Sequence, residues 1–148
     1  MSAERYTIDT NLYFYSLDAS AGDKHLRALA LLQAVNPLRT VVLMQTLEEL
    51  ANSIVKRRPA LIGSAEQLIR RMSRLELAQS NPDDLHLALA THQQHGLPFW
   101  DAVIWATARR VGCSLLLGED FQDGRTLEGV AFCNPFKLSA VELDALLA

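Results

Sequence analysis

Apolar positions along the chain change their spacing several times, and each change marks an expected element. Tyr6-Thr7-Ile8-Asp9 reads as a short strand that meets Thr10-Asn11, polar residues suited to a turn or a helix cap. Leu12 to Leu17 begins a first helix, and a second runs from about Lys24 to Val35, closed by Asn36-Pro37. Thr40 to Met44 is β-branched and apolar, as a buried strand requires. Helical spacing returns from Gln45 to Arg58 and stops at Pro59. A further helix is expected from Ser64 to Ala78, with Leu68, Ile69, Met72 and Leu75 on one side. Asp83 or Asp84 opens the next, which carries Leu85, Leu87 and Leu89 and ends before Gly96-Leu97-Pro98. Trp100 to Val111 reads as a long apolar helix stopped by Gly112. Ser114 to Leu117 and Val130 to Cys133 read as buried strands, and Ala140 to Leu147 as a final short helix.

Strands separated by helices favour a parallel sheet covered on both faces. In such sheets ligands bind beyond the carboxyl ends of the strands, so residues at those ends carry the interest. At 148 residues, with no long linker or internal repeat, the expected organisation is one domain spanning 1–148.

Composition narrows the function classes only a little. A formal charge of −3 excludes a uniformly basic nucleic-acid binder, although a local basic patch can still steer a polyanion. Cys113 and Cys133 lack metal-ligand spacing and read as reduced thiols in a reducing compartment. The opening residues lack the character of a signal peptide, and no apolar run reaches membrane-spanning length, so the expected location is the cytoplasm. There is no phosphate-binding glycine loop, nucleophile elbow or dinucleotide fingerprint, which leaves ATPase, serine hydrolase and dehydrogenase readings without support.

Carboxylates supply the candidate chemistry. Asp9 closes the first strand, Glu48 and Glu49 lie early in the helix after the second, and Asp101 sits in the first turn of the apolar helix. Asp120 and Asp123 follow the Leu115–Leu117 strand. Oxygen-only ligands suit hard cations such as Mg²⁺ or Mn²⁺. Each acid also has a plainer explanation: Asp9 as a cap, the glutamates as a solvated helix face, Asp101 as a partner of the helix dipole, Asp123-Gly124 as a turn. Their joint placement at the ends of successive β/α units favours a site.

At these residues the sequence resembles a PIN domain, and within that family the VapC-like toxin ribonucleases of toxin–antitoxin pairs. Four segments carry the likeness: Ile8-Asp9-Thr10-Asn11-Leu12, Gln45-Thr46-Leu47-Glu48-Glu49-Leu50, Phe99-Trp100-Asp101-Ala102 and Gly118-Glu119-Asp120-Phe121-Gln122-Asp123-Gly124. Asn134-Pro135-Phe136 resembles the end of the family's last strand. The resemblance implies a three-layer α/β/α sandwich with a central, mostly parallel sheet, and a metal-dependent endoribonuclease using Mg²⁺, with Mn²⁺ as an alternative. It implies Asp9 and Asp101 as principal metal ligands, Glu49 rather than Glu48 as the helix glutamate, Asp120 as the fourth acid, Asp123 as an auxiliary ligand and Asn11 as polar support. It further implies an RNA substrate, an antitoxin protein as partner and a homodimer. A housekeeping RNA-processing nuclease and a catalytically silent binding module of the same fold are the alternatives. Two departures stand out. Many relatives carry a hydroxyl residue before the helix glutamate and another just before the last acidic pair, where this chain has Leu43-Met44 and Gly118.

Outside the acids, Lys56-Arg57-Arg58, Arg70-Arg71-Arg74 and Arg109-Arg110 form the basic groups, read as solvated helix faces unless they share the opening of Asp9. The four histidines lack a zinc-site pattern. Trp100 and Trp105 read as core or interface, and helical geometry leaves at least one ring of Tyr13-Phe14-Tyr15 near the surface.

Overall fold

The computed structural model describes residues 4–148. These form six strands: β1 (Arg5–Ile8), β2 (Val41–Leu43), β3 (Glu76–Ala78), β4 (Cys113–Leu117), β5 (Thr126–Leu127) and β6 (Val130–Cys133). They also form seven α-helices: α1 (Thr10–Leu17), α2 (Asp23–Ala34), α3 (Met44–Arg57), α4 (Ile62–Met72), α5 (Pro82–His95), α6 (Phe99–Arg110) and α7 (Ala140–Leu147).

Parallel pairing joins β1 to β4 and β4 to β6, and β5 adds an antiparallel edge to β6. A separate parallel pair, β2 with β3, lies against the free side of β1 through the single bridge Tyr6–Thr40 and the bond from Tyr6 N–H to the Arg39 carbonyl at 2.9 Å. The strand succession is therefore β3-β2-β1-β4-β6-β5. Chain order reverses at β1, whose neighbours lead to opposite edges, and the crevice beyond its carboxyl end is where such sheets hold ligands.

Alternation along the strands divides the core into two layers. Ile8, Val42 and Leu117 face a layer built from α1, α2, α3, α4 and α7, whereas Val41, Leu43, Leu116 and Phe132 face α5 and α6. Helices thus cover both faces, giving the expected α/β/α sandwich. Trp105, fully buried in α6, donates its indole N–H to the Leu127 carbonyl at 3.1 Å and so ties the second layer to the sheet edge.

Two elements depart from the sequence reading. The helix expected from Ser64 to Ala78 ends at Met72, and Glu76–Ala78 is β3 instead. Residues Glu76 and Leu77 are exposed on an edge strand, so no buried period marks them as β structure, while Leu75 prolongs the helical spacing. The antiparallel β5 went unread because two residues are too few to show a period. Cys113 and Cys133 are both free thiols. Among the described residues no helix is long and apolar enough to cross a membrane.

Candidate active site

The parallel register delivers the first two acids together. Ile8 pairs with Leu117 at the ends of β1 and β4, so Asp9 and Gly118 leave the sheet side by side. The Asp9 N–H donates to the Leu117 carbonyl at 2.8 Å, and Gly118 N–H to the Cys133 carbonyl at 2.9 Å, which fixes both exits. Asp120 follows two residues later. From the other strand of the reversal, β2 runs directly into α3, which carries Glu49 in its second turn. Asp101 enters from the first turn of α6, where the helix N-terminus favours a carboxylate.

Asp9, Glu49, Asp101 and Asp120 line one open cleft of about 250 Å³, together with Asn11 and Arg57. Hydrogen bonds hold three of these groups. Gln45 Nε2 donates to Glu49 Oε1 at 2.7 Å, one helical turn away, and Thr10 Oγ1 donates to Glu49 Oε2 at 3.1 Å. Asn11 Nδ2 donates to Asp120 Oδ2 at 3.1 Å. Glu48 lies outside this cleft and borders a neighbouring hollow, so of the two glutamates only Glu49 is brought to the other acids. Thr10 also answers one of the two sequence departures: a hydroxyl reaches the helix glutamate from α1, although Leu43-Met44 brings none.

Electrostatically the cleft is overloaded with negative charge. Burial raises the Asp9 carboxyl from 3.8 to about 7; the charges of Glu49, Asp101 and Asp120 add to this, against a hydrogen bond from the Thr10 backbone. Asp101 is raised as well, by burial first and then by Asp120 and Glu49. Neither Asp9 nor Asp101 pairs with a basic side chain among the described residues. Glu119, adjoining Asp120 in sequence, is different. Burial opposes its ionisation, yet hydrogen bonds from Lys24 and Tyr15 hold its carboxyl below the ordinary value, and this acid is already satisfied.

A divalent cation fits this donor set. Among the described residues no group of three or more His, Cys, Asp and Glu is arranged to hold a metal ion. Mg²⁺ does not need one, because it takes one or two carboxylates and keeps water in its other positions. Asn11 Oδ1 is buried without a partner, a further oxygen acceptor beside Asp120. Asp9, Asp101 and Asp120 are the carboxylates of the cleft that could share such an ion with water.

Asp123 is placed elsewhere. Its Oδ1 accepts from Asn134 N–H at 2.8 Å and its Oδ2 lies 3.9 Å from Lys137 Nζ, so it ties the loop after β4 to the end of β6 rather than lining the cleft.

Most basic groups are spent on internal contacts. Arg58 pairs with Asp18 at 2.6 Å, Arg70 with Glu66 at 2.7 Å and Arg110 with Asp84 at 2.9 Å, while Arg71 donates to the Leu32 carbonyl at 3.1 Å. Arg57 is placed differently. Its guanidinium lies 4.4 Å from the centroid of the buried Phe14 ring and borders the acidic cleft. Of the three consecutive aromatics, Tyr13 and Phe14 are buried and Tyr15 is part-exposed at the cleft. Two histidines serve structure: His25 and His92 each place Nδ1 against a backbone carbonyl, of Tyr15 at 2.8 Å and Leu97 at 2.7 Å.

Among curated proteins none matches the chain significantly. Solved structures share its fold at low identity. The toxin VapC20 of Mycobacterium tuberculosis, described as sarcin–ricin loop cleaving, is 18% identical, with 75% of this chain and 86% of that one covered at a TM-score of 0.63. A toxin–antitoxin complex from Klebsiella pneumoniae is 20% identical, with 90% and 99% covered at 0.66. FitAcB from Neisseria gonorrhoeae is also 20% identical, with 90% and 99% covered at 0.66. The PIN domain family model matches residues 6–123, a span that opens on β1 and contains every acid of the cleft, and the chain accordingly belongs to the PIN domain family.

Proposed function

We propose that this protein is a metal-dependent endoribonuclease and the toxin of a toxin–antitoxin pair. The observation that carries the reading is the gathering of Asp9, Glu49, Asp101 and Asp120 in one cleft, with no basic side chain paired to Asp9 or Asp101 among the described residues. Buried carboxylates that also repel one another are unfavourable in a resting scaffold, and a divalent cation relieves this.

Asp9, Asp101 and Asp120 would hold Mg²⁺, or Mn²⁺ in its place, which would supply a water of lowered pKa and positive charge opposite the phosphate oxygens. Glu49, with its two oxygens oriented by Gln45 and Thr10, accepts a hydrogen bond from the attacking water. Asn11 keeps Asp120 turned toward the cleft. Arg57, exposed at the rim and held over Phe14, meets a phosphate of the incoming strand. The antitoxin and homodimer assignments rest on the resemblance to the VapC kind and on the toxin–antitoxin complex among the fold neighbours. A cytoplasmic location accompanies that reading.

The test is cleavage of a mixed structured-RNA pool in Mg²⁺, Mn²⁺ or EDTA, with wild type beside Asp101→Asn. Cutting that requires the metal and disappears in the variant is expected. Cutting that persists in both EDTA and the variant would overturn the mechanism. Arg57→Ala is expected to raise KM about tenfold with little change in kcat, and to reduce the slope of log affinity against log salt by about one. An unchanged salt slope would remove Arg57 from the phosphate path.

A further inference from the structure

The two tryptophans of α6 have opposite fates. Trp105 is fully buried, whereas Trp100, one residue before Asp101, is 64% exposed. An indole left this open contributes little to the core, yet its orientation is fixed: the ring packs edge-to-face on Phe99, with centroids 5.1 Å apart and planes at 70°. Trp100 borders the acidic cleft and also two adjoining hollows. Gln45 and Glu48 line both of those hollows, and Gln79 and Ser80 line the outer one.

The chemistry of these hollows selects their occupant. Glu48 and Glu49 repel a phosphate, so the nucleic-acid backbone is disfavoured there. Carboxylates, amides and a hydroxyl beside an exposed aromatic face are instead the groups that receive a neutral base, by stacking on its plane and hydrogen bonding at its edge. Trp100 and Asp101 both line the acidic cleft, so a phosphate held by the acids lies beside the indole. Resting on the nuclease reading above, we propose that Trp100 stacks on the base flanking the scissile phosphate, with Gln45, Gln79 and Ser80 at its edge. The substrate is then single-stranded, or splayed open, at the cut site, because a base inside a duplex offers no free face.

Intrinsic fluorescence tests this directly, since Trp105 is sealed in the core and Trp100 is open to solvent. Wild type, Trp100→Phe and Trp100→Ala are titrated with a short single-stranded RNA and with the same sequence as a perfect duplex. Ca²⁺ occupies the oxygen site, and gels verify that the RNA stays intact. The single strand is expected to quench the wild-type emission, with weak response to the duplex. Trp100→Ala is expected to lose the quench and bind about 10- to 100-fold more weakly, while Trp100→Phe keeps part of the affinity. In Mg²⁺, Trp100→Ala is expected to raise KM more than it lowers kcat. Binding and cleavage unchanged in Trp100→Ala, in protein that does cut RNA, overturn the stacking role and leave the nuclease standing. Equal quenching by duplex and single strand overturns the splayed substrate. A wild type that neither binds nor cuts any RNA removes the nuclease reading together with this one.

Discussion

Asparagine in place of Asp9 is expected to silence cleavage by more than about 100-fold and, in the same molecule, to stabilise the metal-free protein near neutral pH. The first effect follows from removing a charged ligand at the end of β1. The second follows from what burial does to that carboxyl, whose pKa moves from 3.8 to about 7 in the fold. A native state that binds this proton more tightly than the unfolded chain is favoured in acid. The contribution is complete below the unfolded value of 3.8 and is lost as pH rises through about 7. At 1.36 kcal/mol per pH unit, the ionised form forfeits on the order of 4 kcal/mol. Asparagine cannot ionise, and its side-chain oxygen can still accept the hydrogen bond from the Thr10 backbone. Urea unfolding in EDTA at pH 5 and pH 8 measures the effect: the wild type should weaken between the two, and Asp9→Asn should weaken less. Added Mg²⁺ should stabilise only the wild type. Coincident unfolding curves for the two proteins at both pH values would show that Asp9 carries no such penalty.

Serine at Gly118 is expected to damage the protein, although relatives carry a hydroxyl residue there. A Cβ on Gly118 would stand 2.7 Å from two atoms of the Phe121 ring and 3.1 Å from Asp9 Cβ. Phe121 cannot withdraw easily, because it is nearly buried and packs on Phe132 with ring centroids 5.0 Å apart. Overpacking of this kind costs about 1–3 kcal/mol. Here the displaced neighbours include Asp9 of the acidic cleft, so under the proposed nuclease reading cleavage should fall by at least about tenfold as well. Shrinking the obstruction with Phe121→Leu should restore part of the activity in Gly118→Ser. Full activity and unchanged thermal stability in Gly118→Ser alone would contradict the packing.

How much was legible in the sequence depended on whether a residue's role was local. Val130–Cys133 and Ala140–Leu147 were read with the bounds they have in the structure, because runs of apolar residues mark them locally. Asp9, Glu49, Asp101 and Asp120 were legible as strand-end and helix-start acids, and the fold brings them to one cleft. The strand Glu76–Ala78 was not legible, since its pairing with Val41–Leu43 is all that distinguishes it from the preceding helix. Asp123 has the same residue type and turn setting as Asp120, and only tertiary contact with Asn134 separates them. The exposure of Trp100 did leave a signal that went unused. Residues five apart on a helix are separated by roughly 140°, so Trp100 and Trp105 could not both face one core.

Tyr6 gives the site a history as well as a location. Its hydroxyl donates to the Leu147 carbonyl at 3.1 Å and accepts from Asn36 N–H at 2.8 Å, so the strand leading to Asp9 is pinned by α7, some 140 residues further along the chain. Its other flank is β4, which begins only at Cys113. On the ribosome, the segments carrying Asp9 and Glu49 emerge long before the strand that aligns them and the helix that locks them. The growing polypeptide therefore carries separate carboxylates with no shared cleft. The acidic cleft is therefore completed only late in synthesis, once β4 and α7 have emerged.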